Sequence, residues 1–293
     1  MPCGTIVKGI AGFYYVNDGT GKVYECKAKG IFRNRDIKPL AGDRVGFEIL
    51  DQNEGLGNIT EIFPRKNMLI RPAAANVDQA AVFFAFREPK PNLGLLDRFL
   101  VSMDIRDIPC IVCFNKADLV SAGEAEALSG AYIKAGYTVL VLSVAEDESI
   151  ESVRELLIGR TTVLAGPSGV GKSSFINRLL PDAGAITSDL SEKTRTGKQT
   201  TRHTQLFYVC RDTFIIDTPG FSSLLIDEAD KDGLKWHFPE FGPYEGHCSF
   251  DDCRHLEEPG CAVKAALECG SIDRRRYESY VMMYKDLKEK KMY

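Results

Sequence analysis

Val163-Leu164-Ala165-Gly166-Pro167-Ser168-Gly169-Val170-Gly171-Lys172-Ser173-Ser174 is the stretch that decides how this chain reads. Three apolar residues with strand character run into a complete G-x-x-x-x-G-K-[ST] pattern, and the residues from Ser174 to Leu180 continue as a helix. Phosphate oxygens need donors with no side chain in the way. The glycines supply them by letting backbone N–H groups turn inward, and the helix start adds partial positive charge. Gly166, Pro167, Ser168, Gly169, Val170, Gly171, Lys172, Ser173 and Ser174 are therefore expected to cradle a nucleoside triphosphate. Lys172 is expected to reach the β/γ-phosphates and stabilise developing charge, and the Ser173 hydroxyl to bind Mg²⁺.

Upstream, the apolar strand Ile111 to Phe114 runs into Asn115-Lys116-Ala117-Asp118, an N-K-x-D pattern. A carboxylate at Asp118 can accept hydrogen bonds from both N1–H and the N2 amino group of guanine, donors that adenine does not offer in that arrangement. A site built around such an acceptor rejects the base that leaves it unpaired. Asn115 is expected to tie loops together and the Lys116 stem to cover the ring. Ser143-Val144-Ala145, at another strand end, can offer a backbone N–H to guanine O6. Downstream, Phe214 to Asp217 ends in the D-x-x-G pattern Asp217-Thr218-Pro219-Gly220. Asp217 suits the Mg²⁺ shell through water, and Gly220 a close approach to the γ-phosphate. Between the two lies Gly197 to Thr204, where Thr201 is the expected Mg²⁺ ligand of a switch. Residues 193–203 carry Lys193, Arg195, Lys198 and Arg202 without an acid, so this basic segment also suits RNA phosphate.

The order of these patterns is unusual. Base-reading loop, phosphate loop and D-x-x-G follow one another, whereas common small GTPases place the phosphate loop first. Circular permutation keeps the strands in place, and it leads the D-x-x-G segment straight into the C-terminal residues. Strands alternate with helical stretches from Gln79 to Leu180, the rhythm of a parallel sheet. The expected architecture is thus multidomain. Residues 1–65 read as an OB-like β-barrel, from short β-rich runs at Ile6 to Val16, Lys22 to Lys29, Arg44 to Leu50 and Ile59 to Phe63. Residues 66–225 read as a circularly permuted α/β P-loop GTPase domain, and 226–293 as a mostly helical zinc-binding domain.

The last of these rests on Cys248-x4-Cys253-x-His255-x5-Cys261. Three thiols and an imidazole make a common tetrahedral zinc set, and four protein ligands leave no open position, so the metal is expected to be structural. His247 and Cys269 are spare, and Cys110 and Cys113 read as core residues on opposite faces of a strand. Arg274-Arg275-Arg276 and Lys285 to Lys291, with Tyr277, Tyr280, Tyr284 and Tyr293 among them, read as an amphipathic helix docked on its own protein, with RNA contact as the alternative.

The 293 residues are 44% hydrophobic and 27% charged, ordinary globular usage that excludes disordered and collagen-like classes. Net charge is 37 − 41 = −4, which gives no global nucleic-acid footprint. Nine cysteines without a secretory signal fit a reducing, cytoplasmic setting, and no apolar run is long enough to cross a bilayer.

Taken together, N-K-x-D, G-P-S-G-V-G-K-S, T-T, D-T-P-G-F and the Cys/His cluster resemble the RsgA family of circularly permuted GTPases over essentially the whole length. The resemblance implies an OB-fold, one structural zinc, Mg²⁺ with GTP, and GTP hydrolysis stimulated by the small (30S) ribosomal subunit during its late maturation. It also implies contact with 16S rRNA, a monomer, and no membrane partner. A GTP-switched assembly factor in which hydrolysis only times release is the second reading; an ATP-using enzyme is a third, against which Asp118 stands. Two positions depart from expectation. Phe221 stands where many GTPases orient water with Gln, and Gln199 where family members often carry His. Gln199 or His203 is then the candidate for orienting the water. Loss of subunit-stimulated turnover in Gln199→Ala or His203→Ala identifies it; wild-type rates for both variants exclude the pair.

Overall fold

The structure is a computed structural model that describes residues 1–28, 38–70, 72–180, 204–217 and 230–290. They fall into two compact units. Met1–Ala81, Val144–Ala165 and Gly171–Gly220 make the first; Val82–Ser143, Gly166–Val170 and Phe221–Tyr293 make the second.

The first unit opens with five strands, β1 (Cys3–Ile10), β2 (Phe13–Asn17), β3 (Val23–Ala28), β4 (Arg44–Asp51) and β5 (Leu56–Ile62). They close a barrel in the order β1-β2-β3-β5-β4, with β3 parallel to β5 and the other pairs antiparallel. Closure removes the exposed edges, as in OB-folds. Ile6, Val16, Tyr24, Cys26, Val45, Phe47 and Ile59 fill it. The continuous β-rich run Ile6 to Val16 is in fact a hairpin. Ala11 and Gly12 both take positive φ, 50° and 89°, and turn the chain in two residues. Behind the barrel, Arg65 binds buried Asp43 through Nε at 2.7 Å and Nη2 at 2.8 Å. The short strands β6 (Met68–Leu69) and β7 (Ala74–Ala75) pair beyond it.

The remaining strands are β8 (Gln79–Ala85), β9 (Cys110–Asn115), β10 (Thr138–Val141), β11 (Thr161–Ala165), β12 (Leu206–Cys210) and β13 (Thr213–Asp217). They form a sheet ordered β10-β9-β8-β11-β13-β12. β8 and β11 are buried at every residue, as expected of central strands in a sheet covered on both faces. β10 runs parallel to β9, and β11 to β13. β12 is antiparallel to β13, because Arg211 and Asp212 at φ 40° and 58° reverse the chain between them. In the first unit the barrel meets this hairpin: Lys8 bridges Gln205, and Tyr208 Oη donates to the Gly19 carbonyl at 3.0 Å.

Helices α1 (Leu93–Asp104), α2 (Ala122–Lys134), α3 (Asp147–Leu157) and α4 (Lys172–Leu179) alternate with the strands. Their starts follow local chemistry. The Asn92 side chain accepts the Leu95 N–H, and Ser121 and Glu124 cap α2 reciprocally.

The C-terminal residues of the second unit fold as 3₁₀ turns Leu234–His237 and Pro239–Tyr244, then α5 (Ala262–Glu268) and α6 (Arg274–Lys290). Phe238, Phe241, Tyr280, Met283, Tyr284 and Leu287 make a core with Val101 of α1. The α6 tyrosines at 280 and 284 thus dock on the protein itself. Arg276 is not part of a solvated basic face: it is 1% exposed and binds Asp97 of α1 at 2.7 Å and Glu240 at 2.7 and 3.1 Å. Tyr132 of α2 donates to the same Asp97 at 3.0 Å. Among the described residues no helix is long and apolar enough to cross a membrane.

Arg276→Ala would leave two buried carboxylates without their cation, a loss of about 3–5 kcal/mol. Hydrogen exchange in α6 is expected to rise sharply, and unchanged protection there would contradict the role given to this pair.

Candidate nucleotide site and metal centre

Three buried residues of β11, Val163 to Ala165, deliver the chain to Gly166. Its φ is +135°, and a Cβ there would lie 2.1 Å from the Phe83 carbonyl oxygen, so only glycine fits. Gly171 is left-handed at φ 102° and starts α4, and no side chain caps that helix. Lys172 and Ser173 open the helix. Burial draws the Lys172 pKa downward, and the Asp217 charge opposes that shift. Arg178, in the last turn of α4, donates to the Val144 carbonyl at 2.6 Å and pairs with Asp147.

The base-reading loop is built in the second unit. β9 ends on Asn115, 2% exposed, whose Nδ2 donates to the Val170 carbonyl at 2.8 Å. Lys116 is left-handed at φ 63°, and its ammonium binds the Glu88 carbonyl. Ala117–Leu119 forms a 3₁₀ turn whose Ala117 N–H reaches the Leu142 carbonyl at 3.1 Å. Asp118 is exposed on that turn, and Ser143 and Val144 are buried just beyond β10.

The residues singled out in the sequence thus gather in two groups. Asn115 and Val170 are joined directly, and Lys172 lies within the electrostatic reach of Asp217. Gln199, Thr201, His203, Gly220 and Phe221 lie outside the described residues. The Glu88 carbonyl has no sequence signal, because any residue type carries one.

Cys248, Cys253, His255 and Cys261 form a metal-binding cluster, with all ligand atoms within 4.8 Å of one another. His255 Nδ1 lies 3.6 Å from Cys248 Sγ and 3.4 Å from Cys261 Sγ, and the two sulfurs are 4.0 Å apart. These are edge lengths of a tetrahedron around an ion with Zn–S near 2.3 Å and Zn–N near 2.0 Å. Burial, with the Cys248 and Cys261 thiols beside it, pushes the Cys253 thiol up to about 12. Such a group of thiols is favourable around a cation that replaces their protons. His247 and Cys269 stand outside the cluster, and Cys110 and Cys113 take no part in it.

A sheet with its phosphate-loop strand at the centre, an N-K-x-D loop tied to that phosphate loop, a closed barrel before them and a Cys/His module after them define a circularly permuted P-loop GTPase with two appended parts. The profile of the RsgA GTPase family matches residues 62–227, and that of the RsgA N-terminal domain residues 3–56. Two proteins named small ribosomal subunit biogenesis GTPase RsgA are full-length relatives. The one from Agathobacter rectalis is 46% identical over 99% of each chain. The one from Alkaliphilus metalliredigens is 44% identical over 100% of each. The crystal structure of YloQ, described as a circularly permuted GTPase, superposes with a TM-score of 0.81 at 36% identity, covering 99% of this chain and 96% of that one. YjeQ from Thermotoga maritima gives 0.82 at 33% identity, covering 98% of both. The chain belongs to the RsgA GTPase family.

Gly166→Ala forces a Cβ against the Phe83 carbonyl and an unfavourable φ. Backbone strain alone is expected to lower stability by roughly 1–3 kcal/mol. Urea unfolding of this variant at the wild-type midpoint would show that the loop has room the structure does not give it.

Proposed function

We propose that the protein binds GTP and hydrolyses it to GDP and phosphate on the small ribosomal subunit, during that subunit's late maturation. The observation that carries this reading is the Asn115–Val170 bond, which supports a base-reading loop and a phosphate loop acting on one nucleotide. Residues 166–174 cradle the phosphates in this reading. Asp118 accepts from guanine N1–H and N2, Asn115 braces the loop, Lys116 covers the ring, and the backbone at Ser143 and Val144 meets O6.

Water attacks the γ-phosphorus in line, its oxygen forming the new P–O bond. The bond to the β–γ bridging oxygen breaks, GDP leaves with the electron pair, and the water's proton passes to the phosphate product. Lys172 and the loop N–H groups hold the charge that spreads over the phosphoryl oxygens. Ser173 and Thr201 would hold a magnesium ion, with Asp217 in its shell and Gly220 toward the γ-phosphate; when bound, the ion would supply charge neutralisation to the phosphates. Cys248, Cys253, His255 and Cys261 hold one zinc, and with four protein ligands it is structural.

The relatives' names support the small subunit as partner, and the family resemblance adds 16S rRNA, a monomeric state and a cytoplasmic location. GTP turnover with and without purified small subunits tests the reading: strong stimulation is expected, and equal rates would contradict it. Asp118→Asn turns one acceptor oxygen into an NH₂ donor facing guanine and leaves the other uncharged, so two charge-assisted hydrogen bonds of about 1.5–3 kcal/mol each are lost or weakened. GDP affinity is expected to fall roughly 10²–10⁴-fold, with binding regained for the xanthine nucleotide. Unchanged GDP affinity in calorimetry would remove Asp118 from the base site.

A further inference from the structure

His255 is fully buried and sits at a left-handed φ of 58°, an uncommon conformation for a residue with a side chain. Its surroundings hold it there. Tyr277 Oη donates to its carbonyl at 2.7 Å, and the Phe241 ring stands edge-on to the imidazole at 5.7 Å. While Nδ1 faces the Cys248 and Cys261 sulfurs, Nε2 lies 2.6 Å from Glu245 Oε1. A carboxylate there accepts the Nε2 proton, which leaves the Nδ1 lone pair for a metal.

Glu245 is itself fixed. Its other oxygen, Oε2, takes the Lys235 ammonium at 3.0 Å, and the same ammonium donates to the carbonyl of Cys253, a second metal ligand, at 3.1 Å. The ion pair is largely buried, with the two side chains 12% and 14% exposed. Lys235 belongs to the 3₁₀ turn Leu234–His237, which lies on α1: Leu234 shares a core with Val101, and His237 Nδ1 binds Asp104 at 2.7 Å. The Lys235 ammonium also lies 4.7 Å above the ring of Trp236, the chain's single tryptophan.

We infer that Glu245 is the positioning residue of the metal centre, and that Lys235 couples that centre to the turn that docks on α1. This rests on the four-ligand zinc reading and adds to it a specific carboxylate–lysine relay. The carboxylate holds the imidazole in the tautomer that ligates. The lysine holds the carboxylate and, through the Cys253 carbonyl, the backbone of the ligand loop.

The test uses the full chain loaded with one zinc, challenged by a chromophoric chelator, together with the cobalt-substituted form. In Glu245→Ala the zinc dissociation constant is expected to rise roughly 10–100-fold. The cobalt–thiolate absorption is expected to persist, because all four ligands remain. Glu245→Gln, whose amide oxygen still accepts the Nε2 proton, is expected to recover part of the loss, and it carries the test if the alanine variant does not fold. For Lys235, zinc removal is expected to change Trp236 emission in the wild type and to leave it unchanged in Lys235→Met. Wild-type zinc affinity in Glu245→Ala, even with reduced thermal stability, would make Glu245 a merely structural residue and overturn the inference. An unresponsive Trp236 in the wild type would overturn the lysine link. A wild-type chain that holds no zinc would instead contradict the zinc reading itself.

Discussion

A single hydrogen bond from the Asn115 amide to the Val170 carbonyl is the constraint on which the nucleotide reading depends. Its donor ends β9 and its acceptor sits in the phosphate loop, with α2, β10, α3 and β11 between them in the chain. Both ends are buried, so leaving either unpaired would carry the full desolvation penalty of a polar group. The bond also has partners in rigidity. Gly166 is pressed against the Phe83 carbonyl, and Lys116 is held by the Glu88 carbonyl. Strand β8 thus meets the phosphate loop, and the connection that follows it holds the base-reading loop. Permutation changes which covalent links join these pieces, and the Asn115–Val170 bond still ties the two loops together.

The candidate site was legible in the sequence as a pattern, because binding a triphosphate restricts residue types. Inward N–H groups call for glycines, a γ-phosphate for lysine, and guanine for a carboxylate after an apolar strand. The same holds for the Cys/His cluster, whose ligands must be thiols and imidazole. What escaped reading was set by partners distant in the chain or by backbone atoms. Arg276 looked like one of three tail arginines, and only the fold brings Asp97 and Glu240 to it. The parallel β3–β5 pair that helps close the barrel has no local pattern, since each strand alone reads as any half-buried strand. The Ala11-Gly12 turn was hidden because alanine at positive φ is a poor turn signal.

The C-terminal residues show how a small module is held. Its aromatic core alone is modest, and two further devices fix it within its unit. Arg276 ties α6 to α1 through a buried carboxylate, and the metal ligands gather the loop between Cys248 and Cys261. Glu245 and Lys235 stand between these devices, one touching the ligand His255 and the other carried by the turn on α1. Loss of metal would therefore be felt beyond the ligand loop, at the surface by which this module meets α1.

The central claim is that the loops at 115–118 and 166–173 serve one guanine nucleotide despite their reversed order. A crystal structure of the protein with GDP and magnesium tests it most directly. The account predicts a single nucleotide with its base on the Asp118 carboxylate and its phosphates against Lys172; electron density that places these two side chains in separate cavities would contradict it.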